Sequence, residues 1–321
     1  MAPTHLVTEN SENQLRQYTD ASAVFEAHRR AAKEASAVRG SMFWRDLRGT
    51  KTLIRTSAAG AQHSLGKESE HTLAMYASFM DRKAQLEQRY KSLSIKLEEM
   101  RKLNKVYGVG RTPQVVVSLL QAMDKAGIAE QFQTVGTHAL YAYESACGVR
   151  VGTEALATRD VDLLYDTRQH VSFVTTMNRL DASLISVFQK ADKTFRVRKE
   201  QLQTAVNDDG FEIDVIRRIA MDNDPHPLPM SGAEEDLWAA QVGSGNQLVS
   251  GRRHEQMVVS PRGDMALMRT VHPLDFIRVK AALAASVDRD PLKRPKDRLQ
   301  AQVVQRLWDE YLRHRHQDTA V

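Results

Sequence analysis

Thr158-Arg159-Asp160-Val161-Asp162-Leu163-Leu164-Tyr165 alternates with the two-residue period of a β-strand. Val161, Leu163 and Tyr165 fall on one face, Asp160 and Asp162 on the other. Two carboxylates thus project side by side from an apolar strand. Like charges at this spacing raise each other's proton affinity, so the pattern makes most sense with a hard divalent cation between them, for which magnesium is the natural candidate. A lone D-x-D is common at strand ends, and the reading therefore depends on what surrounds it.

Downstream, Phe211-Glu212-Ile213-Asp214-Val215-Ile216 alternates in the same way, with Phe211, Ile213 and Val215 inward and Glu212 and Asp214 opposite. The turn Asn207-Asp208-Asp209-Gly210 predicts a hairpin with the strand at Phe195–Arg198 or with the residues after it. If the Asp214 strand lies beside the Asp160 strand with matching faces, Asp214 completes a cluster of three carboxylates able to hold two metal ions for in-line displacement at phosphorus. Upstream, Val135-Gly136-Thr137-His138-Ala139-Leu140 reads as a strand end followed by a helix start. The glycine would let backbone amides approach phosphate oxygens, with the helix dipole assisting. Thr137 either caps that helix or donates its hydroxyl to the same phosphates. His138 is expected on the helix surface or beside a nucleotide. Arg159 is expected either to touch a phosphate or to play a structural part.

Around this core the texture is helical. Leu15, Tyr18, Ala21 and Phe25 predict an amphipathic helix over residues 11 to 38, and Phe43, Trp44, Leu47, Leu53 and Ile54 around Gly49 predict a short hairpin followed by a loop. Residues 70 to 106 contain neither Pro nor Gly, and Leu86, Tyr90, Leu93, Leu97 and Met100 recur at spacings of four and three. That long helix pairs within the chain or forms the seam of a homodimer. VYGVGRTPQ, at 106–114, marks a break before a helix at 112–125. Beyond PHPLP, at 225–229, the expectations are strands at Gln247–Ser250 and Met257–Val259, then helices at Pro273–Val287 and Pro291–Arg313. The domains read as 1–107, a helical region with hairpin and long helix; 108–225, the core; and 226–321, a mixed and helical C-terminal region. The class is α+β.

The 321 residues are 42% hydrophobic and 26% charged, the balance of a globular protein. No apolar run reaches the length of a membrane span, and the first residues lack a secretory signal pattern, so a cytoplasmic location is expected. Cys147 is the single cysteine, which rules out an intrachain disulfide or a cysteine-based metal cluster and suits a small buried hydrophobe. A formal charge of +5 suits an anionic partner such as a nucleotide or RNA.

A Gly-Thr at a helix start, then D-h-D on the next strand, then a lone Asp on a later strand, resembles the polymerase-beta nucleotidyltransferase superfamily. More narrowly, VGTHALYAYESACGVRV (135–151), TRDVDLLYD (158–166), DGFEIDVIRR (209–218) and RDPLKRPKDRLQA (289–301) resemble a bacterial family of nucleotidyltransferase-fold proteins. That family is distantly similar to the nucleotidyltransferases of abortive-infection toxin–antitoxin systems. The similarity extends to SMFWRDLRGTKTLIR (41–55) and SLGKES (64–69), and so covers most of the chain.

The resemblance implies a polymerase-beta-like core, a mixed sheet with flanking helices. It implies transfer of a nucleoside monophosphate from a nucleoside triphosphate, such as ATP, to an acceptor hydroxyl on an RNA 3′ end, a protein or a small molecule, with release of pyrophosphate. Asp160, Asp162 and Asp214 would hold two Mg2+ ions, with Mn2+ as the alternative, and Gly136 and Thr137 would meet the phosphates. A lysine after the core and an R-x-K-D segment in such relatives are similar to Lys280 and to Arg294-Pro295-Lys296-Asp297. Lys280 and Lys296 would then neutralise phosphates; the competing reading makes Lys280, Lys293, Arg294, Lys296 and Arg298 ordinary exposed helix charges. The rival functional class is a non-catalytic binding or regulatory protein on the same fold, among them a toxin–antitoxin component.

Overall fold

The computed structural model describes residues 6–58, 60–221 and 224–314; the expectation about the first residues falls partly outside them. The chain divides into two compact units, Arg16–Tyr107 and Met1–Leu15 with Gly108–Val321. Strand β1 (Val7–Glu9) opens the larger unit and leads into helix α1 (Glu12–Ala37), most of which belongs to the smaller.

In the smaller unit β2 (Ser41–Leu47), β3 (Thr50–Thr56) and β4 (Gln62–Lys67) form an antiparallel sheet, followed by α2 (Glu70–Tyr107). The sequence predicts a loop where β4 lies. Gly66, at φ 126°, allows the strand to shift register between Leu53 and Ile54, and this irregularity disguises the alternation that would announce a strand. Helix α2 pairs with α1 inside the chain. Gln17 donates to Asn104 at 3.0 Å in a buried hydrogen bond, and Arg89 reaches Glu34 at 3.0 Å. From the apolar stripe, Tyr90 lies 5.1 Å from the ring of His28, and Met100 accepts from Gln17.

The larger unit continues with α3 (Gln114–Ala126), β5 (Phe132–Val135), α4 (Ala139–Cys147), β6 (Val149–Val151), α5 (Thr153–Leu156) and β7 (Asp160–Tyr165). Next come α6 (His170–Leu180), α7 (Leu184–Phe188), β8 (Arg196–Arg198), β9 (Gln201–Val206) and β10 (Glu212–Arg218). The last elements are β11 (Ala240–Val242), α8 (Gly245–Ser250), β12 (Arg253–Val259), β13 (Met265–Val271), α9 (Pro273–Ala285) and α10 (Arg294–Leu307). Their described residues build an eight-stranded mixed sheet in the order β12-β13-β5-β7-β10-β9-β8, with β11 pairing with β10. The molecule is thus a mixed α+β protein, and no described helix is long and apolar enough to cross a membrane.

Strand parity sets the two faces of this sheet. Val161, Leu163 and Tyr165 join Ile213, Val215, Phe173 and Phe188 in one core, whereas Leu164 and Val135 join the other, with Tyr143, Val271, Phe276 and Val304. Cys147 is buried in the second core. The hairpin expected before Asp214 forms with β9, the residues following Arg198.

A further expectation fails, and one strand goes unanticipated. Residues 247–250, predicted as a strand, belong to helix α8: a short apolar run has no decisive period, and Gly245 packs so closely on β10 that a Cβ there would come within 2.5 Å of the Arg218 Cα. Strand β13 is absent from the sequence reading because it lies between β12 and β5 with both faces buried, and so shows no alternation. Helix α9 ends at Ala285, where Ser286 is extended, and α10 starts at Arg294 rather than Pro291.

Candidate active site

Strands β7 and β10 run parallel, with Asp162 level with Asp214 and Asp160 level with Glu212. Parallel neighbours in register point matching residues to the same face. Asp160, Asp162 and Asp214 therefore converge, each half-buried, with ligand atoms within 4.8 Å of one another. Two hydroxyls orient them: Thr158 donates to Asp160, and Thr204 of β9 donates to Asp214 at 2.5 Å. Glu212 is drawn away by Arg198.

The cluster is electrostatically strained. Burial, then repulsion from Asp160 and Asp214, pushes the Asp162 carboxyl up to about 7 against the pull of Lys280 and Lys293. Burial also raises Asp214; Asp160 and Glu212 add to the rise, while the Thr204 hydrogen bond and Arg198 oppose it. Three converging oxygen donors under this repulsion fit a hard divalent cation.

Gly136 has a reason beyond the one its sequence context suggests. It sits at φ 66°, and a Cβ there would lie 2.2 Å from Asp162 Oδ2. The missing side chain is the space the carboxylate occupies. The capping alternative for Thr137 is not realised: residues Gly136–His138 form a 3-10 turn ahead of α4, with no side-chain cap at either start. Its hydroxyl instead accepts from Gln300 at 3.0 Å, and Gln300 also donates to the Ala155 carbonyl at 2.7 Å. His138 is not on the helix surface. It is buried beneath β7, packs near Phe211 and Tyr141, and burial lowers its pKa to about 4 although Asp160 pulls the other way. Arg159 is exposed, and its carbonyl accepts from the Glu212 amide at 2.9 Å.

A cavity of about 300 Å3 opens between the triad, the Gly136–Thr137 turn and the C-terminal helices, lined by Lys280, Arg289, Lys293 and Lys296 besides the acids. Lys280 is buried, and its ammonium donates to Asp297 Oδ1 at 2.8 Å; Arg289 donates to Oδ2 of the same carboxylate, also at 2.8 Å. Burial works to raise Asp297, but these two partners outweigh it and hold the carboxylate below its usual range. Lys296 donates to the Ala157 carbonyl at 2.7 Å, and burial lowers its pKa. The reading of the basic run as ordinary surface charge therefore divides: Lys280, Lys293 and Lys296 line the cavity, whereas Arg294 braces the preceding loop through the carbonyls of Arg289 and Val287. Among the described residues, four cations and four carboxylates line the cavity and balance. A polyphosphate would bring uncompensated negative charge unless cations accompanied it.

Sequence reasoning missed Thr204, Arg289 and Gln300. One signal was present: Lys293, Lys296, Asp297 and Gln300 are spaced three, one and three apart, a polar stripe on one face of a helix whose other buried positions are apolar.

A family model described as Nucleotidyltransferase matches residues 114–321, about two thirds of the chain and all of the cavity lining. Comparison with curated proteins gave no match, and comparison with solved structures gave none.

Two outcomes are expected. Gly136→Ala places a Cβ where Asp162 stands, in a backbone region costly to an L residue, so unfolding free energy should fall by about 1–2 kcal/mol and the thermal shift produced by a divalent cation should vanish; an unaltered shift would show that the glycine does not hold the site open. The folded chain keeps the Asp162 proton up to about pH 7, whereas an unfolded carboxyl releases it near ~3.9. In the absence of a cation, this group's contribution to stability is full below the unfolded value and is lost as pH rises through about 7. Binding of a divalent cation would displace that proton, so such a cation should raise the melting temperature more at pH 8 than at pH 6; equal shifts would contradict the coupling.

Proposed function

The chain belongs to the nucleotidyltransferase family and is a transferase enzyme whose family implies a nucleoside triphosphate donor; from that premise we propose that its core, residues 108–225, is polymerase-beta-like and transfers a nucleoside monophosphate to an acceptor hydroxyl. Residues 226–321 supply the helices that close the site. The observation that carries the reading is the convergence of Asp160, Asp162 and Asp214 in a cavity lined by four cations.

In this proposal Asp160, Asp162 and Asp214 hold two Mg2+ ions, for which Mn2+ can substitute. When bound, the ions supply Lewis-acid polarisation of the phosphate oxygens and lower the pKa of the acceptor hydroxyl. Gly136 and Thr137 face the β- and γ-phosphates, with Gln300 holding the Thr137 hydroxyl in place. Lys280 and Lys296, together with Arg289 and Lys293, compensate the charge that builds on the leaving pyrophosphate. Asp214, oriented by Thr204, takes the acceptor proton. The acceptor oxygen forms a bond to the α-phosphorus, the bond from that phosphorus to the bridging oxygen breaks, and pyrophosphate leaves with the electron pair.

ATP is the proposed donor, and the acceptor is an RNA 3′ end, a protein or a small molecule. The proposed setting is the bacterial cytoplasm, as one component of a toxin–antitoxin pair. The three carboxylates and the enzyme family go against a purely binding role. We also propose a homodimer through α2, on which Ile95 is 58% and Val106 78% exposed.

Incubation with each α-labelled nucleoside triphosphate, Mg2+ and either RNA or cell lysate should label an acceptor, and the Asp160→Ala, Asp162→Ala double variant should lose at least about 1,000-fold of the rate. Equal labelling by both proteins would sink the enzymatic reading, and growth arrest on expression, lost in the double variant, would distinguish a toxin. Light scattering should give twice the chain mass, dropping to one with Ile95→Glu; a monomeric wild type would end the dimer proposal.

A further inference from the structure

The sheet face that carries the carboxylates does not stay polar. By strand parity Ile216 follows Asp214 on β10 and Leu164 follows Asp162 on β7, so acid gives way to hydrocarbon within one pleat. Ile216, with Val135 and Val271, belongs to the wall of a second cavity of about 400 Å3, opposite Phe276, Val279 and Leu283 of α9. Its size falls in the range of small-molecule sites, roughly 300–1,000 Å3. Gly136, Asp162, Lys280 and Arg289 line both cavities, so the two hollows adjoin. Among the described residues, these shared side chains are the only charged groups in the apolar one. With cations held by the triad, an occupant of both would be anionic at one end and uncharged and apolar at the other.

We propose that the second cavity seats the nucleobase of the donor nucleoside triphosphate, and that it takes purines in preference to pyrimidines. The inference rests on the reading that the triad and the cations receive the triphosphate. A flat aromatic group suits hydrocarbon walls, and the larger ring system buries more area against them. Polar lining is sparse: Ser244 stands at the start of α8 but its hydroxyl makes no cap bond there. Selection then follows ring size more than hydrogen-bond pattern, because apolar contact discriminates weakly between isosteres. Gly243 lies in the lining, and an added Cβ would meet no atom within 4 Å, so a side chain can start there without displacing its neighbours.

The test measures binding of ATP, GTP, CTP, UTP and inorganic tripolyphosphate, each with Mg2+, by titration calorimetry to the full chain and to the Gly243→Leu and Leu283→Trp variants. Expected are purine nucleotides binding about fivefold tighter than pyrimidine nucleotides, and each variant weakening the nucleotides about tenfold or more while tripolyphosphate is unaffected. Loss of tripolyphosphate binding in parallel would mean that a variant had disturbed the fold, and if both variants did so the assignment would fall. Nucleotide binding unchanged in both, with transfer to the acceptor abolished, would give the cavity to the acceptor and overturn the proposal. A wild-type chain that binds tripolyphosphate but no nucleotide any tighter would refute the base site alone; one that binds neither would refute the triphosphate reading beneath it.

Discussion

Parallel pairing of β7 with β10 in one particular register is the constraint on which the site depends. Asp162 stands level with Asp214, and both point to the same face. A slip of one residue would turn Asp214 into the core beside Val161 and Leu163 and bring Ile213 or Val215 out in its place. Asp162 is raised by burial first and by repulsion from Asp160 and Asp214 second, so nothing in the carboxylates' own interaction would bring the strands together. The register is imposed from behind, where Val161, Leu163, Ile213 and Val215 bury completely against Phe173 and Phe188. At roughly 1.5–3 kcal/mol for each fully buried aliphatic side chain, that face outweighs a carboxylate repulsion of a few kcal/mol.

The second layer of the site comes from α10, and its buried polar atoms hold the cavity open on the other side. Asp297 accepts from Lys280 and Arg289 at once, fixing two cations with a single carboxylate. One turn later Gln300 ties Thr137 to the Ala155 carbonyl. Burying a carboxylate is tolerable only with such partners. Removing Asp297 would strand the buried Lys280 ammonium without its carboxylate, and removing Gln300 would take its donor from the Thr137 hydroxyl and the Ala155 carbonyl.

The expected glycine function was broadened by geometry. In the sequence, Gly136 before Thr137 suggests a backbone approach to phosphate; in three dimensions the same position also makes room for the Asp162 side chain. A residue 26 positions away decides why no side chain is permitted. Likewise the apolar stripe on α2 left two partners open, and contacts such as Gln17 with Asn104 identify α1 of the same chain as one it uses.

Local pattern was enough for the strands at Asp160–Tyr165 and Glu212–Arg218, their inward and outward faces, the long helices and the association of the Gly-Thr turn with them, because each rests on a period of 2 or 3.6 carried by consecutive residues. The pattern failed at β13 and at residues 247–250, where burial on both faces or a short apolar run erases the period. It also did not reach Thr204 and Arg289, which enter the site through the register of the β9–β10 hairpin and through the Asp297 carboxylate, nor the contact of Gln300 with Thr137, an element far away in sequence. The sequence by itself determined which side chains would be acidic, apolar or basic and which way each would point from its own strand or helix. Only the tertiary structure decided which strands became neighbours and in what register, since that depends on burying two sheet faces at once, a property of the whole chain rather than of any segment of it.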